Sequence, residues 1–402
     1  MARGEIYNAQ VESIAAGGAG IARIEGKTVF IELTAPGDQV MCRISKEKKT
    51  WAEAELLGVL EPSPLRREIK CHYFGICGGC TLQHLDYAAQ IEAKTAILRG
   101  AFEHIGNFIP PKITVRESAP YEYRNKQRFH IIRSASGQEE ARLGFKERNS
   151  SLIVDIDDCP VADPGIRKAL KNREFSMPGK KERLNVYSRG GTFLCDGGQQ
   201  KGKVSILDRE LAMDVKLFFQ SNAAMLELLI TDLLALAEKA DKNLPLADIY
   251  SGVGTFASFL CRSSDGSPSF PEIDLVEENK AALALARENI DEGSTGNHPL
   301  VNYHAMTDTA WVVALEGGNK KNWGLMVLDP PRDGLSVPLR HWLAGHGPEL
   351  VAYVSCDPAT LARDSRVLVE GAYKLMELYF YDFYPQTAHI ESLAVFSRKA
   401  KQ

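Results

Sequence analysis

The sequence predicts an α/β chain in three parts: a small all-β barrel, a mixed α+β segment, and a doubly wound, mostly parallel sheet. Three observations predict it. Residues 5 to 60 alternate short apolar or β-branched runs with turns such as GGAG and APGD, the period-two texture of a small barrel. A Pro-containing stretch, EPSPLRRE, then breaks the pattern near residue 61. Beyond about residue 216, apolar strands such as LADIY, EIDLV, GLMVLD and LVAYVS alternate with helical stretches such as SNAAMLELLITDLLALAEKA and KAALALARENI, the signature of βα units. Between them lie the helical run HLDYAAQIEAKTAILRGAFEHIG and strand-like pieces from Tyr121 to Leu211. The expected domains are therefore 1–60, 61–215 and 216–402, in keeping with roughly 150 residues per domain.

Composition narrows the function. Hydrophobic residues make up 44% and charged residues 25% of the 402, which excludes a disordered, collagenous or coiled-coil chain. With 48 basic and 52 acidic side chains the formal charge is −4, so any nucleic-acid site must be a local basic patch rather than a global field. The opening residues lack a signal-peptide core, and no apolar run approaches the roughly 18 residues of a membrane span. A cytoplasmic protein with no membrane association and no evident obligate protein partner is expected.

In a doubly wound sheet, ligands bind where strands end. The first such end reads Asp248-Ile249-Tyr250-Ser251-Gly252-Val253-Gly254-Thr255-Phe256. Gly252 and Gly254 let backbone approach a ligand, and Glu277, closing the next strand, can accept hydrogen bonds from a ribose diol; the pair suggests an adenosine-containing cofactor. No G-x-x-x-x-G-K-[ST] loop is present, which argues against nucleotide hydrolysis. A later end, Asp329-Pro330-Pro331-Arg332, is a stiff turn able to hold a planar base edge against the Asp329 carboxylate. Cys356, in Ser355-Cys356-Asp357-Pro358, is placed as a nucleophile, and the helix expected just beyond it would favour a thiolate. Near the C-terminus stands Asp382-Phe383-Tyr384-Pro385-Gln386-Thr387-Ala388-His389-Ile390-Glu391-Ser392.

Three of the eight cysteines fall within ten residues, as Cys71-x5-Cys77-Gly-Gly-Cys80, and Cys159 in DDCP supplies a fourth thiol. In a reducing compartment such a group reads as metal or cofactor ligation. Spacing alone does not choose between zinc and an iron–sulfur cluster. Between these thiols, Tyr123-Arg124-Asn125-Lys126-Gln127-Arg128-Phe129-His130 is read as a strand with Arg124, Lys126 and Arg128 on one face to track phosphates, and with aromatic neighbours that can stack on bases.

The stretches FFQSN, DIYSGVGTF, DPPRDGL, SCDPATLARD and DFYPQTAHIES together resemble the S-adenosylmethionine-dependent RNA uracil-5 methyltransferase family. The resemblance implies a Rossmann-like methyltransferase domain in which Gln220, Tyr250, Glu277 and Asp329 contact cofactor or base. It also implies Cys356 as nucleophile and Glu391 as base. Ser251 stands where many relatives carry cysteine, and the glycines are intact. The C-x5-C-G-G-C run resembles the iron–sulfur subset of the family, implying a 4Fe-4S cluster on Cys71, Cys77, Cys80 and Cys159. The N-terminal barrel resembles a TRAM domain, an RNA-binding module of oligonucleotide-binding type. The function expected is methylation of carbon 5 of a uridine in RNA, with 23S ribosomal RNA favoured. The alternatives are a transfer RNA uracil-5 methyltransferase and a non-catalytic RNA-binding assembly factor.

Overall fold

The computed structural model describes residues 1–133, 141–262, 267–291, 299–318 and 321–399. The chain forms two compact units. The first comprises Met1–Ile97, Ala119–Leu184 and Tyr384–His389, the second Leu98–Ser118, Asn185–Phe383 and Ile390–Gln402.

In the first unit, strands Ile6–Ile14, Gly20–Ile24, Lys27–Ile31, Gln39–Glu47 and Trp51–Glu61 close a barrel in the order first, second, third, fifth, fourth. The third and fifth pair in parallel and the other neighbours antiparallel. Alternate residues point inward, so Val11, Ala22, Val29, Ile31, Val40, Cys42 and Ala52 fill the interior. The Pro-rich exit is tied back to the barrel by buried Asp38. Burial opposes its charge, yet Arg66, at 2.7 and 2.8 Å, and the Ala35 and Ser63 N–H groups hold its carboxyl below the usual range. The rest of this unit contains a three-stranded antiparallel set, Lys126–Ile132, Arg142–Lys146 and Ile153–Asp155, and the helix Pro164–Asn172.

The second unit is built on an eight-stranded sheet. Its order is Leu300–His304, Glu272–Val276, Leu246–Ile249, Leu325–Leu328, Leu350–Ser355, Glu391–Arg398, Tyr373–Tyr381, Ile113–Arg116. The first five run parallel. Leu246–Ile249 and Leu325–Leu328 are buried at every position, as strands covered on both faces must be, which is why they read as unbroken apolar runs. The helices expected from sequence appear as Ala223–Ala237, capped by the Asn222 side chain, and Lys280–Asp291.

Two features differ from the sequence reading. Residues 98–118 and 185–215, placed with the middle segment from sequence, fold with the second unit. Ile113–Arg116 pairs in parallel with Tyr373–Tyr381, a non-local partnership that no local pattern announces. The sheet also departs from parallel where Glu391–Arg398 inserts antiparallel between its neighbours. Among the described residues no helix is long and apolar enough to cross a membrane.

Candidate active site

Strand register assembles the site in the second unit. Ile249 lies opposite both Val276 and Leu328, so Tyr250, Glu277 and Asp329 leave three adjacent strands at one level. Leu328 lies opposite Tyr353, which carries the Cys356 turn to the same edge. Ser355 pairs with Ser392 in the antiparallel partner; one step further along that register sets Cys356 against Glu391. Carboxylates from Asp329 and Glu391, and the Arg332 guanidinium, all act electrostatically on the Cys356 thiol.

The glycine turn is shaped for close approach. Gly254 holds φ +73, and a Cβ there would lie 2.8 Å from the Ala286 Cβ; only glycine combines that conformation with that contact. Tyr250 itself is left-handed at φ 64, its hydroxyl donating to Asp308 at 2.7 Å. Both Glu277 oxygens accept backbone N–H groups, from Gly252 at 2.9 Å and Asn279 at 2.7 Å, which fixes the carboxylate at the strand end. Gln220 is 7% exposed and its Oε1 is buried without a hydrogen-bond partner. A buried unpaired acceptor is costly and calls for a ligand donor.

The Asp329–Gly334 turn is gripped by the helix Pro358–Glu370 that follows Cys356. Thr360 Oγ1 donates to the Arg332 carbonyl at 3.1 Å, Arg363 Nη2 donates to the Asp333 carbonyl at 2.9 Å, and fully buried Asp364 accepts the Leu335 N–H at 2.9 Å. Asp364 also accepts from Arg340 at 2.6 Å and from the Tyr353 hydroxyl at 2.9 Å. The Cys356 turn and the Asp329 turn are thus one framework. Replacing Asp364 by alanine leaves buried cationic and polar donors unpaired, and a loss of about 3 kcal/mol or more is expected, measured as a fall in denaturant midpoint with unchanged slope.

Burial governs protonation here. It pushes the Cys356 thiol up to about 11, assisted by Glu391 and Asp329 and opposed by Arg332. The expectation that the following helix start would favour a thiolate is therefore not met in this structure: the Asp357 side chain caps that helix, accepting from the Thr360 N–H, and two carboxylates face the sulfur. Burial raises Asp329 to about 7, and Glu391 stands well above the carboxylate range through burial and then Asp329. These carboxyls are too close for both to ionise readily. Asp248, absent from the sequence-derived site residues, is fully buried and raised to about 8 by burial; its Oδ2 accepts the Ala257 N–H at 3.2 Å and its Oδ1 has no partner. Its place in the glycine-turn motif was the available signal. Arg332 was visible only as an exception in a Pro-Pro turn, and Asp364 carried no signal at all.

In the first unit, all four cysteines of the group are free and half-buried. Burial raises each thiol, Cys80 to about 12, and Cys71, Cys77 and Cys159 all add to the effect at Cys80, so the four sulfurs share one neighbourhood. The Gly79 N–H donates to Cys77 Sγ at 3.4 Å, and Gln127 Nε2 to Cys159 Sγ at 3.7 Å. Among the described residues no three His, Cys, Asp or Glu side chains form a metal-ion site. The basic strand begins at Lys126 rather than at Arg124. Lys126, Arg128 and His130 share its outer face, with Gln127 and Phe129 turned inward. Phe129 is fully buried and Tyr123, at 6% exposed, donates to the Pro385 carbonyl; neither is available to stack on a base. Arg124 lies over the Tyr384 ring at 5.7 Å.

Comparison with known proteins agrees with this architecture. Residues 188–399 match the tRNA (uracil-5-)-methyltransferase family, and residues 2–57 match the TRAM domain. An uncharacterized RNA methyltransferase of Treponema denticola is 33% identical over 93% of this chain and 94% of its own length. The 23S rRNA (uracil(1939)-C(5))-methyltransferase of Aeromonas hydrophila is 32% identical over 94% of this chain and 93% of its own. In fold, the crystal structure of Pyrococcus abyssi tRNA (uracil-54, C5)-methyltransferase with S-adenosyl-L-homocysteine matches with a TM-score of 0.70 at 22% identity, covering 97% of this chain and all of that one. The chain therefore belongs to the RNA uracil-5 methyltransferase family of enzymes and carries a TRAM domain at its N-terminal end.

Proposed function

We propose that this enzyme transfers a methyl group from S-adenosylmethionine to carbon 5 of a uridine in 23S ribosomal RNA. The single observation that carries the chemistry is the strand register that sets Cys356 against Glu391 beside Asp329. Similarity to relatives named as 23S rRNA methyltransferases supports the substrate. When bound, S-adenosylmethionine supplies an electrophilic methyl group. Gly252 and Gly254 admit it closely, Glu277 orients its ribose, and Tyr250 and Gln220 complete its surroundings. The Cys356 thiolate would bond to carbon 6 of the uracil, the ring electrons shift to carbon 5, and carbon 5 takes the methyl group as its bond to sulfur breaks and S-adenosylhomocysteine leaves. Asp329 holds the base edge. Glu391, ionised at that stage, removes the carbon 5 proton, the carbon 6–sulfur bond breaks, and the thiolate is released.

A 4Fe-4S cluster on Cys71, Cys77, Cys80 and Cys159 fits the donor set. Four half-buried thiols repel one another's ionisation, and cluster irons would relieve that cost while amide donors stabilise the sulfurs. A cubane separates its cysteines more widely than a single tetrahedral ion does, compatible with four neighbouring thiols that do not converge on one point. With each iron capped by cysteine the cluster would be structural or RNA-facing. Lys126, Arg128 and, beside the cysteines, Arg124 supply positive charge for the RNA backbone.

Two outcomes test this reading. Ribosomal RNA from a deletion strain should lack one 5-methyluridine and regain it on incubation with the purified protein and S-adenosylmethionine. Loss of 5-methyluridine from transfer RNA alone would refute the ribosomal assignment. The pH dependence follows from the thiol: because its ionisation lies near 11, the thiolate fraction rises with pH. The single-turnover rate should rise about tenfold per pH unit on the alkaline side of neutrality wherever thiolate supply limits it. Arg332→Ala removes a charge that favours the thiolate and should shift that limb to higher pH; a flat profile in both proteins would contradict the assignment.

A further inference from the structure

We infer that a cavity in the first unit, beside the Tyr73 turn, is a subsite for one unstacked base of the RNA substrate, a base carrying an exocyclic amino group. The inference deepens the reading of this protein as an RNA-modifying enzyme and rests on it. The cavity measures about 130 Å³, and a cavity of roughly 150 Å³ admits a benzene ring. It is thus close to the volume that holds a six-membered ring, and because it opens to solvent a larger base could insert one ring and leave the rest outside.

Its walls have the chemistry of a base clamp. Leu143, Ile156 and Leu170 form a buried apolar floor, and the half-buried rings of Tyr73 and Phe175 line the sides. Unstacked bases in RNA complexes are held on such aromatic surfaces. The rim is charged: Asp155, paired with Arg142 at 2.8 Å, and exposed Asp157, whose Oδ1 accepts the Tyr73 hydroxyl at 2.8 Å. Carboxylates only accept hydrogen bonds. With Asp155 engaged by Arg142, the Asp157 carboxylate is the acceptor that suits the amino groups of adenine, cytosine or guanine and selects against uracil, whose edge carries two carbonyls around a single N–H. The target uridine and this second base are therefore chemically distinct.

Arg173 adds an independent observation. It stands at the C-cap of the helix Pro164–Asn172 with φ 57, its N–H donating to the Ala169 and Leu170 carbonyls, in the left-handed conformation that strongly favours glycine. A long cationic side chain is nonetheless kept there, exposed at the cavity rim, where a guanidinium can meet the phosphate attached to an inserted base.

The conformational strain makes the test clean, because Arg173→Gly removes the guanidinium while easing the backbone. Fluorescence anisotropy with short labelled oligo(A), oligo(C) and oligo(U) at fixed salt reads binding to the full-length protein. The wild type should bind oligo(A) or oligo(C) about fivefold or more tighter than oligo(U). Asp157→Asn should erase that preference. Arg173→Gly should weaken binding to the preferred oligomer by about fivefold or more, with a Tm equal to or above that of the wild type. Equal affinities for the three oligomers in the wild type, or unchanged affinity in Arg173→Gly, would overturn the subsite. Methyl transfer to ribosomal RNA from the deletion strain is measured in parallel. A wild type that binds with the expected preference yet forms no 5-methyluridine sinks the proposed function and leaves the subsite standing; normal methylation with unaltered binding in the variants does the reverse.

Discussion

Replacing Cys356 by alanine should abolish methyl transfer while leaving RNA binding intact. Carbon 5 of uracil is too weak a nucleophile to take a methyl group unaided, so the acceleration depends on a sulfur bond at carbon 6. Removing an enzyme's nucleophile costs about 10⁴-fold or more in turnover. The structural cost should be small: Cys356 is half-buried at a turn and alanine deletes one sulfur atom. A variant with wild-type Tm, unchanged affinity for ribosomal RNA and no 5-methyluridine in single-turnover assays is the expected result; activity within tenfold of wild type would remove the nucleophile from the mechanism.

Glu391→Gln should have a different signature, because in the proposed mechanism the glutamate acts after the carbon–sulfur bond has formed. Methyl transfer can occur once, but the carbon 5 proton then has no acceptor and elimination stalls. A covalent protein–RNA species should accumulate to near stoichiometry and survive denaturing electrophoresis, while turnover falls about 10²-fold or more. Glutamine keeps the shape of a buried side chain, 3% exposed, that burial and then Asp329 push toward its neutral form. The variant should therefore fold as the wild type does. A Glu391→Gln protein that turns over slowly without trapped RNA would place the slow step before the adduct and would demand another base.

Much of this site is legible in sequence because βα units place chemistry at strand ends. Tyr250 to Thr255, Asp329 and Cys356 each follow an apolar run, so their places at the sheet edge follow from pattern alone. The N-terminal barrel was legible from its alternation: about one residue in two is buried, and every turn but the last, Lys48-Lys49-Thr50, carries a glycine. Registers between distant segments were not legible. Nothing local tells that Ile113–Arg116 lies beside Tyr373–Tyr381, or that Ser392 faces Ser355. Electrostatics was hidden for a related reason. The thiol of Cys356 looked activated beside a helix start, but its protonation is set by burial and by carboxylates arriving from other strands. Phe129 likewise looked like a stacking platform among basic residues, and the alternation of its strand turns it into the core.

The proposed reaction requires a transient bond between Cys356 and the target ring, and 5-fluorouridine in the RNA tests that bond most directly. Fluorine cannot leave as a cation, so with S-adenosylmethionine present the methylated adduct has no proton for Glu391 to remove and cannot resolve. Digestion and mass spectrometry should find the nucleotide, bearing its new methyl group, on the peptide containing Cys356. Normal methylation of unsubstituted RNA accompanied by no adduct on the fluorinated RNA, or by an adduct on another residue, would contradict it.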